Sequence, residues 1–437
     1  MFLLTHVWIL AAGLGCLSLL PQSPAPGLAH LSASDRAAAL KAIQAAFQER
    51  YVFPEMRPAI IERLEQSRKD GRYDLDDPVI FAERITQDLE AVSHDLHLYL
   101  RTDPAAYAAA MAPPQSTEGM AAFRRHKAIR EHHGLSELKV LPGNLRYLKI
   151  TGFKWVQDET GSIYDEAMRF LKDGDAVIID LRGNGGGSSA AVRYLVSHFL
   201  DEDVLEMTFH QGSEIPKQSR TLDHLPAGRL KGMPLWVLID RYVASAAESF
   251  AYDVAQFKLG ELVGSPTIGA ANNNELLPIA PSFILSLSFG RPVHAVSQTN
   301  WEGVGVKPAI QTLPGQELDV AQSRALAFLA KNPAAMPEAL ADYAWAKVAV
   351  EARLHPVALD PAQLKALSGQ YGNGEIAYRE GSLWWDRSKR PSVRLLPLTE
   401  ESLFAVEHLD ILRLRLTGKT MEQLWMGEPA PRVIPKK

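Results

Sequence analysis

Apolar positions along the chain follow two periods, and the switch between them divides it. Over residues 32–95 they recur at helical spacing. Leu40, Ile43 and Phe47 fall on one face of a helix predicted from Ser34, its cap, to Tyr51. A second helix is predicted over Pro58–Lys69, stopping near Gly71. A third opens with Asp76-Asp77-Pro78 and carries Phe81, Ile85, Leu89 and Val92 on one face. Ser93-His94-Asp95-Leu96 then turns the chain into a short predicted strand, His97–Leu100. Residues 101–137 read as a surface connection with Pro113-Pro114 and a polar helix.

From Leu138 continuous apolar runs alternate with helical segments. Strands are predicted at 138–141, 145–150, 176–181, 204–210, 234–239 and 261–264, and helices at 162–172, 188–200, 246–258 and 317–330. That alternation predicts a largely parallel sheet covered by helices. A strand pair follows at 275–279 and 283–289, and 337–355 reads as a helical linker. Beyond Leu364 the pattern becomes short strands between turns, at 376–378, 382–385, 393–396, 403–406 and 411–416, which is a small antiparallel β domain.

The longest apolar run is at the start, Phe2–Leu20, followed by Pro21-Gln22-Ser23-Pro24-Ala25-Pro26 and the small residues Gly27-Leu28-Ala29. This order predicts an export signal cleaved near Ala29 and a periplasmic or secreted mature protein. The single cysteine, Cys16, lies inside that signal, and Gly13 stands where a lipid-anchor motif has leucine. The mature chain would therefore lack disulfide and thiol chemistry, and no later segment is apolar enough to span a bilayer. At 437 residues the chain calls for two or three domains. A net charge of −5 gives no electrostatic case for a nucleic-acid partner.

Four loops could carry chemistry. In the first, the apolar strand Val177-Ile178-Ile179-Asp180 enters Arg182-Gly183-Asn184-Gly185-Gly186-Gly187-Ser188, a turn whose bare backbone can bring amides close to an anion. No Gly-Lys-Ser/Thr follows, so it is not a Walker loop, and a dinucleotide fingerprint lacks its acid at the end of the next strand. The second, Arg241–Glu248, places Ser245 where a strand gives way to a helix; alone, Ser245 reads as an N-cap serine. The third, Gln298–Pro308, holds Glu302, which alone reads as a solvated carboxylate. The fourth holds His97, which alone reads as a satisfied, partly buried histidine. Together they supply a nucleophile, a base, an acid to orient the base and backbone donors from Gly187 and Ala246, the roles that acyl transfer needs.

Asp180-Leu181-Arg182-Gly183-Asn184-Gly185-Gly186, Ser245-Ala246-Ala247-Glu248 and Val263-Gly264-Ser265-Pro266-Thr267-Ile268-Gly269 resemble the C-terminal processing (tail-specific) serine peptidases. Tyr51-Val52-Phe53-Pro54, Val92–Leu98, Leu141-Pro142-Gly143-Asn144 and Asn300–Val306 resemble the branch similar to interphotoreceptor retinoid-binding protein and the tricorn core.

The resemblance implies an α/β fold: a crotonase-like (ClpP/crotonase-type) core at 116–335, after a signal at 1–29 and an N-terminal helical subdomain at 30–115. A helical linker at 336–360 and a small β domain at 361–437 follow. It implies Ser245 as nucleophile, His97 as base and Glu302 as orienting acid, with Gly186 and Glu248 in support. Where many relatives have a lysine base after the Thr-x-Gly turn, this chain has Ala270; Leu96 stands where tricorn has a serine. His94 is a fallback base. No cofactor or metal is implied, and the substrate is a peptide or unfolded protein. The competing reading is a catalytically silent binder of apolar ligands or peptides on the same fold.

Overall fold

A computed structural model describes residues 30–112, 117–212 and 214–437. The predicted export signal and Pro113-Pro114 lie outside them. The described chain falls into two compact units. One takes in the residues up to Leu138, then Leu148–Lys172 and Ile179–Ile310; the other takes in Lys139–Tyr147, Asp173–Ile178 and Gln311–Lys437.

Three helices open the described part of the chain: α1 (Ala33–Arg50), α2 (Arg57–Lys69) and α3 (Pro78–Ser93). The cap of α1 is Ser32, not Ser34: its hydroxyl accepts the Asp35 amide while the Asp35 carboxylate takes the Ser32 amide. Asp77 caps α3 as its sequence predicts, with Pro78 at the first helical position. After β1 (Tyr99–Thr102) come α4 (Pro104–Met111) and α5 (Thr117–Arg130), then β2 (Leu135–Leu141), β3 (Leu145–Ile150), α6 (Gln157–Lys172), β4 (Ala176–Asp180) and α7 (Ser189–Ser197). The chain continues through β5 (Leu205–Gln211), β6 (Lys217–Arg220), β7 (Leu235–Ile239), α8 (Ala246–Gln256), β8 (Glu261–Gly264), β9 (Asn273–Ile279), β10 (Phe283–His294) and β11 (Ile310–Gln311).

The strands form two sheets rather than one largely parallel sheet. One is six-stranded, in the order β11-β8-β7-β4-β3-β2, and its β7 and β8 pair in parallel from Trp236 opposite Glu261 to Ile239 opposite Gly264. The other is antiparallel: β10 pairs with β1, β5 and β9, and β6 pairs with β5. The strand predicted at 204–210 thus leaves the parallel register to pair with the far half of β10. Length explains the arrangement. At twelve residues, β10 is long enough to take β9 and β1 at its start and β5 at its end. The apolar faces of α1–α3 cover its first half, where Phe47, Phe81, Ile85 and Leu89 pack with Phe283, Leu285 and Leu287 in one core.

In the second unit, α9 (Glu317–Leu329) and α10 (Pro337–Leu354) precede α11 (Pro361–Leu367). An eight-stranded antiparallel meander follows: β12 (Gly369–Tyr371), β13 (Gly374–Arg379), β14 (Ser382–Arg387), β15 (Val393–Pro397), β16 (Leu403–Val406), β17 (Leu412–Leu416), β18 (Thr420–Trp425) and β19 (Arg432–Pro435). The bridge between Tyr371 and Lys436 brings its two edges together, which leaves little open strand edge. Its core holds Ile376, Leu383, Phe404 and Leu414, roofed by Leu364 and Leu367 of α11.

Candidate active site

The residues singled out by the sequence lie on turns of the first unit, each held by a rigid neighbour. β7 is buried along its whole length and ends at Ile239; the chain turns and α8 starts at Ala246. Ser245 sits at the N-cap with φ +53° and ψ −121°, a conformation that a side chain other than hydrogen takes at a cost of about 1–3 kcal/mol. Two contacts enforce it. The Ala244 amide donates to the Asn184 carbonyl at 3.0 Å, tying this turn to the glycine turn after β4. The Ser245 amide donates to Glu248 Oε2 at 2.9 Å.

Glu248 is fully buried. Its Oε1 accepts the Thr267 hydroxyl at 2.5 Å and the Gly269 amide at 2.7 Å, and its Oε2 also accepts the Ala270 amide at 2.8 Å. Burial pushes this carboxyl up, and its donors pull it back only in part.

Gly186 makes the glycine turn fit against the serine. Its φ is +98°, and a Cβ there would stand 2.7 Å from the Ala244 carbonyl oxygen, 2.9 Å from the Ala246 amide nitrogen and 2.9 Å from Ser245 Cβ. Gly187 follows at φ +138° in a parallel bridge with Phe153. That bridge uses the Gly186 carbonyl and the Ser188 amide, so the Gly187 amide faces away from Phe153. Among the described residues neither the Gly187 nor the Ala246 amide is given to a protein acceptor.

His97 lies in a turn, not at the start of a strand as its sequence suggests; β1 begins at Tyr99. The helix before it ends on His94 in the left-handed conformation, and the Leu98 amide closes the turn on the Asp95 carbonyl at 3.1 Å. The His97 ring faces Glu302 although about two hundred residues separate them: Nδ1 stands 3.7 Å from Glu302 Oε2, a distance that falls short of a hydrogen bond. Glu302 Oε2 accepts the Ala271 and Asn272 amides at 2.6 and 2.7 Å, and its Oε1 accepts the Leu96 amide at 3.3 Å. Burial raises the Glu302 carboxyl, but the His97 ring and these amides outweigh it and hold it below the ordinary range.

Residues 267–272 therefore run from one carboxylate to the other. Thr267, Gly269 and Ala270 donate to Glu248 on the Ser245 side; Ala271 and Asn272 donate to Glu302 on the His97 side. Sequence reasoning missed this strut, which is built mainly of backbone donors that leave no residue signature. It also missed Asp95, a buried carboxylate 4.0 Å from His97 Nδ1, pushed up by burial and by the Glu302 charge. The available signal was an aspartate two residues before the histidine, just past a helix end. Ligand-capable atoms of Asp95, His97 and Glu302 lie within 4.8 Å of one another, a donor set of one imidazole and two carboxylates that suits a divalent cation. The fallback base His94 is the helix cap itself.

Comparison with protein families covers the Ser245 and Glu302 side of this site and not His97. A model of peptidase family S41 matches residues 144–312. The carboxy-terminal processing protease CtpB of Bacillus subtilis (strain 168) is 26% identical over 180 residues, 40% of this chain and 35% of that protein. A probable CtpA-like serine protease of Staphylococcus aureus (strain N315) is 26% identical over 121 residues, 28% of this chain and 24% of that protein. The matches thus span about a third or less of the curated relatives' own length. Among solved structures, a putative peptidase from Parabacteroides merdae aligns with a TM-score of 0.47 at 18% identity, over 69% of this chain and 99% of that one. The photosystem II D1 C-terminal processing protease aligns at 0.42 and 15%, over 65% and 94%. The segment that matches the peptidase family S41 model, 144–312, carries the glycine turn, Ser245 and Glu302.

Proposed function

We propose that this protein is an exported serine peptidase that hydrolyses peptide bonds of short or unfolded chains. Ser245 attacks the scissile carbonyl; His97 takes the serine proton and then gives it to the leaving amine; Glu302 orients the ring. The amides of Gly187 and Ala246 receive the oxyanion, and Gly186 and Glu248 hold the loops that present them. The reading includes a crotonase-like core and the division into signal (1–29), helical subdomain (30–115), core (116–335), linker (336–360) and β domain (361–437). The observation that carries it is the 3.7 Å approach of His97 to Glu302, in the same compact unit as Ser245. A closure of about 1 Å on substrate binding makes that contact a hydrogen bond, as is common in unliganded sites.

Ser245→Ala tests it. Hydrolysis of a quenched fluorescent peptide is expected to fall by at least about a thousandfold with the thermal transition unchanged; activity retained by that variant overturns the assignment. Leu96 in place of a serine and Ala270 in place of a lysine favour the second reading, a silent binder on the same fold. That reading predicts an inert Ser245 together with saturable ligand binding.

A further inference from the structure

Glu302 is not the only carboxylate at His97. Asp95 is 1% exposed, and its Oδ1 accepts the His97 amide at 2.9 Å while standing 4.0 Å from the ring Nδ1. Its Oδ2 accepts the Asn272 side-chain amide at 3.2 Å, with the buried Tyr51 hydroxyl at 3.5 Å. Asn272 is the residue whose backbone amide donates to Glu302 at 2.7 Å, so one residue holds both carboxylates.

The turn itself does not call for this. An acceptor for the amide two residues on is supplied as well by a neutral asparagine or serine. A buried carboxylate is costly unless partnered, so a neutral side chain would serve the turn better. What a carboxylate adds here is a second oxygen, which clamps Asn272, and a second acceptor on the Nδ1 side of the ring.

We propose that Asp95 is a positioning residue for the reaction proposed above. Its carboxylate fixes His97 through the backbone amide and, through Asn272, fixes the loop that holds Glu302, so that ring and acid keep one mutual orientation. The inference rests on Ser245 and His97 acting as described.

Asp95→Asn is the direct test, because asparagine keeps an oxygen for the His97 amide but turns an NH2 toward the Asn272 amide. On a quenched peptide, kcat is expected to fall ten- to a hundredfold with KM within threefold, the cost of a misplacement of about 1 Å. A fluorophosphonate should still label one Ser245 per chain on long exposure, at a rate lowered by the same factor. A kcat within threefold of the parent overturns the proposal, and so does a loss of labelled sites in proportion to kcat, which marks unfolding rather than misorientation. If Asp95→Asn shows no cooperative melting, Asn272→Ala decides. It keeps the backbone amide on Glu302 and removes the side-chain amide from Asp95; a three- to tenfold fall in kcat supports the proposal and an unchanged kcat overturns it. Ser245→Ala, run alongside, separates the two ideas. If it is inactive while Asp95→Asn is fully active, Asp95 alone is excluded; if it is active, the catalytic reading itself falls.

Discussion

Replacing Glu248 by glutamine changes one atom and breaks half of a buried network. The carboxylate takes two donors on each oxygen: the Thr267 hydroxyl and Gly269 amide on Oε1, the Ser245 and Ala270 amides on Oε2. An amide keeps one acceptor oxygen and turns an NH2 toward the other pair. Either rotamer therefore takes the acceptor from two donors, with no water access at a residue 0% exposed. Each unsatisfied buried donor costs about 1–3 kcal/mol, so Glu248→Gln should lose about 2–6 kcal/mol. That is a large share of the 5–15 kcal/mol typical of a folded domain. Urea unfolding followed by circular dichroism reads the loss as a lower midpoint at unchanged slope. Activity should fall with it, because the strained Ser245 turn loses a support. A variant within about 0.5 kcal/mol of the parent would refute the count of donors, and with it the idea that this carboxylate holds the turn.

Gly186→Ala puts a methyl under 3 Å from three atoms of the Ser245 turn at a φ of +98°; turnover should drop about a hundredfold and the melting temperature by several degrees, and wild-type turnover would contradict the close approach. Burial raises Glu206 to about 8, above its ordinary value near 4.5. Its contribution is therefore complete below about pH 4.5 and lost as pH rises through about 8, a difference on the order of 5 kcal/mol at most. The stability difference between parent and Glu206→Gln in urea should shift across that window; a difference flat with pH would refute it. Dialysis against a chelator should leave peptide hydrolysis unchanged. Loss restored by a divalent cation would assign Asp95, His97 and Glu302 to a metal rather than to base and orienting acids.

Much of the fold is legible in the sequence where burial is complete. Ala176–Asp180 and Leu235–Ile239 are buried at every position, and their unbroken apolar runs mark them as strands. The glycine turn and Ser245 follow directly from those strand ends. Elements that mix signals are not legible. In α4, alanines carry no apolar face, although Asp103 and Pro104 give a cap and a first turn. In β18, buried Gln423 breaks the alternation, and β19 is mostly exposed at a sheet edge. Residues 204–210 read as a parallel strand because a helix precedes them; their partner, the far half of β10, lies some eighty residues on. At the site, Ser245 is visible from its turn, His97 and Glu302 only through the family pattern. Asp95 and the 267–272 strut emerge from hydrogen bonds that no spacing encodes.

The central claim is that the Ser245 hydroxyl is a nucleophile activated by His97. The most direct measurement is mass-spectrometric mapping of the adduct left by a fluorophosphonate on the parent and on His97→Ala. The account predicts one adduct per parent chain, on the peptide containing Ser245, and a labelling rate at least about a hundredfold lower in the variant. No adduct on the folded parent, or equal rates in the two proteins, would contradict it.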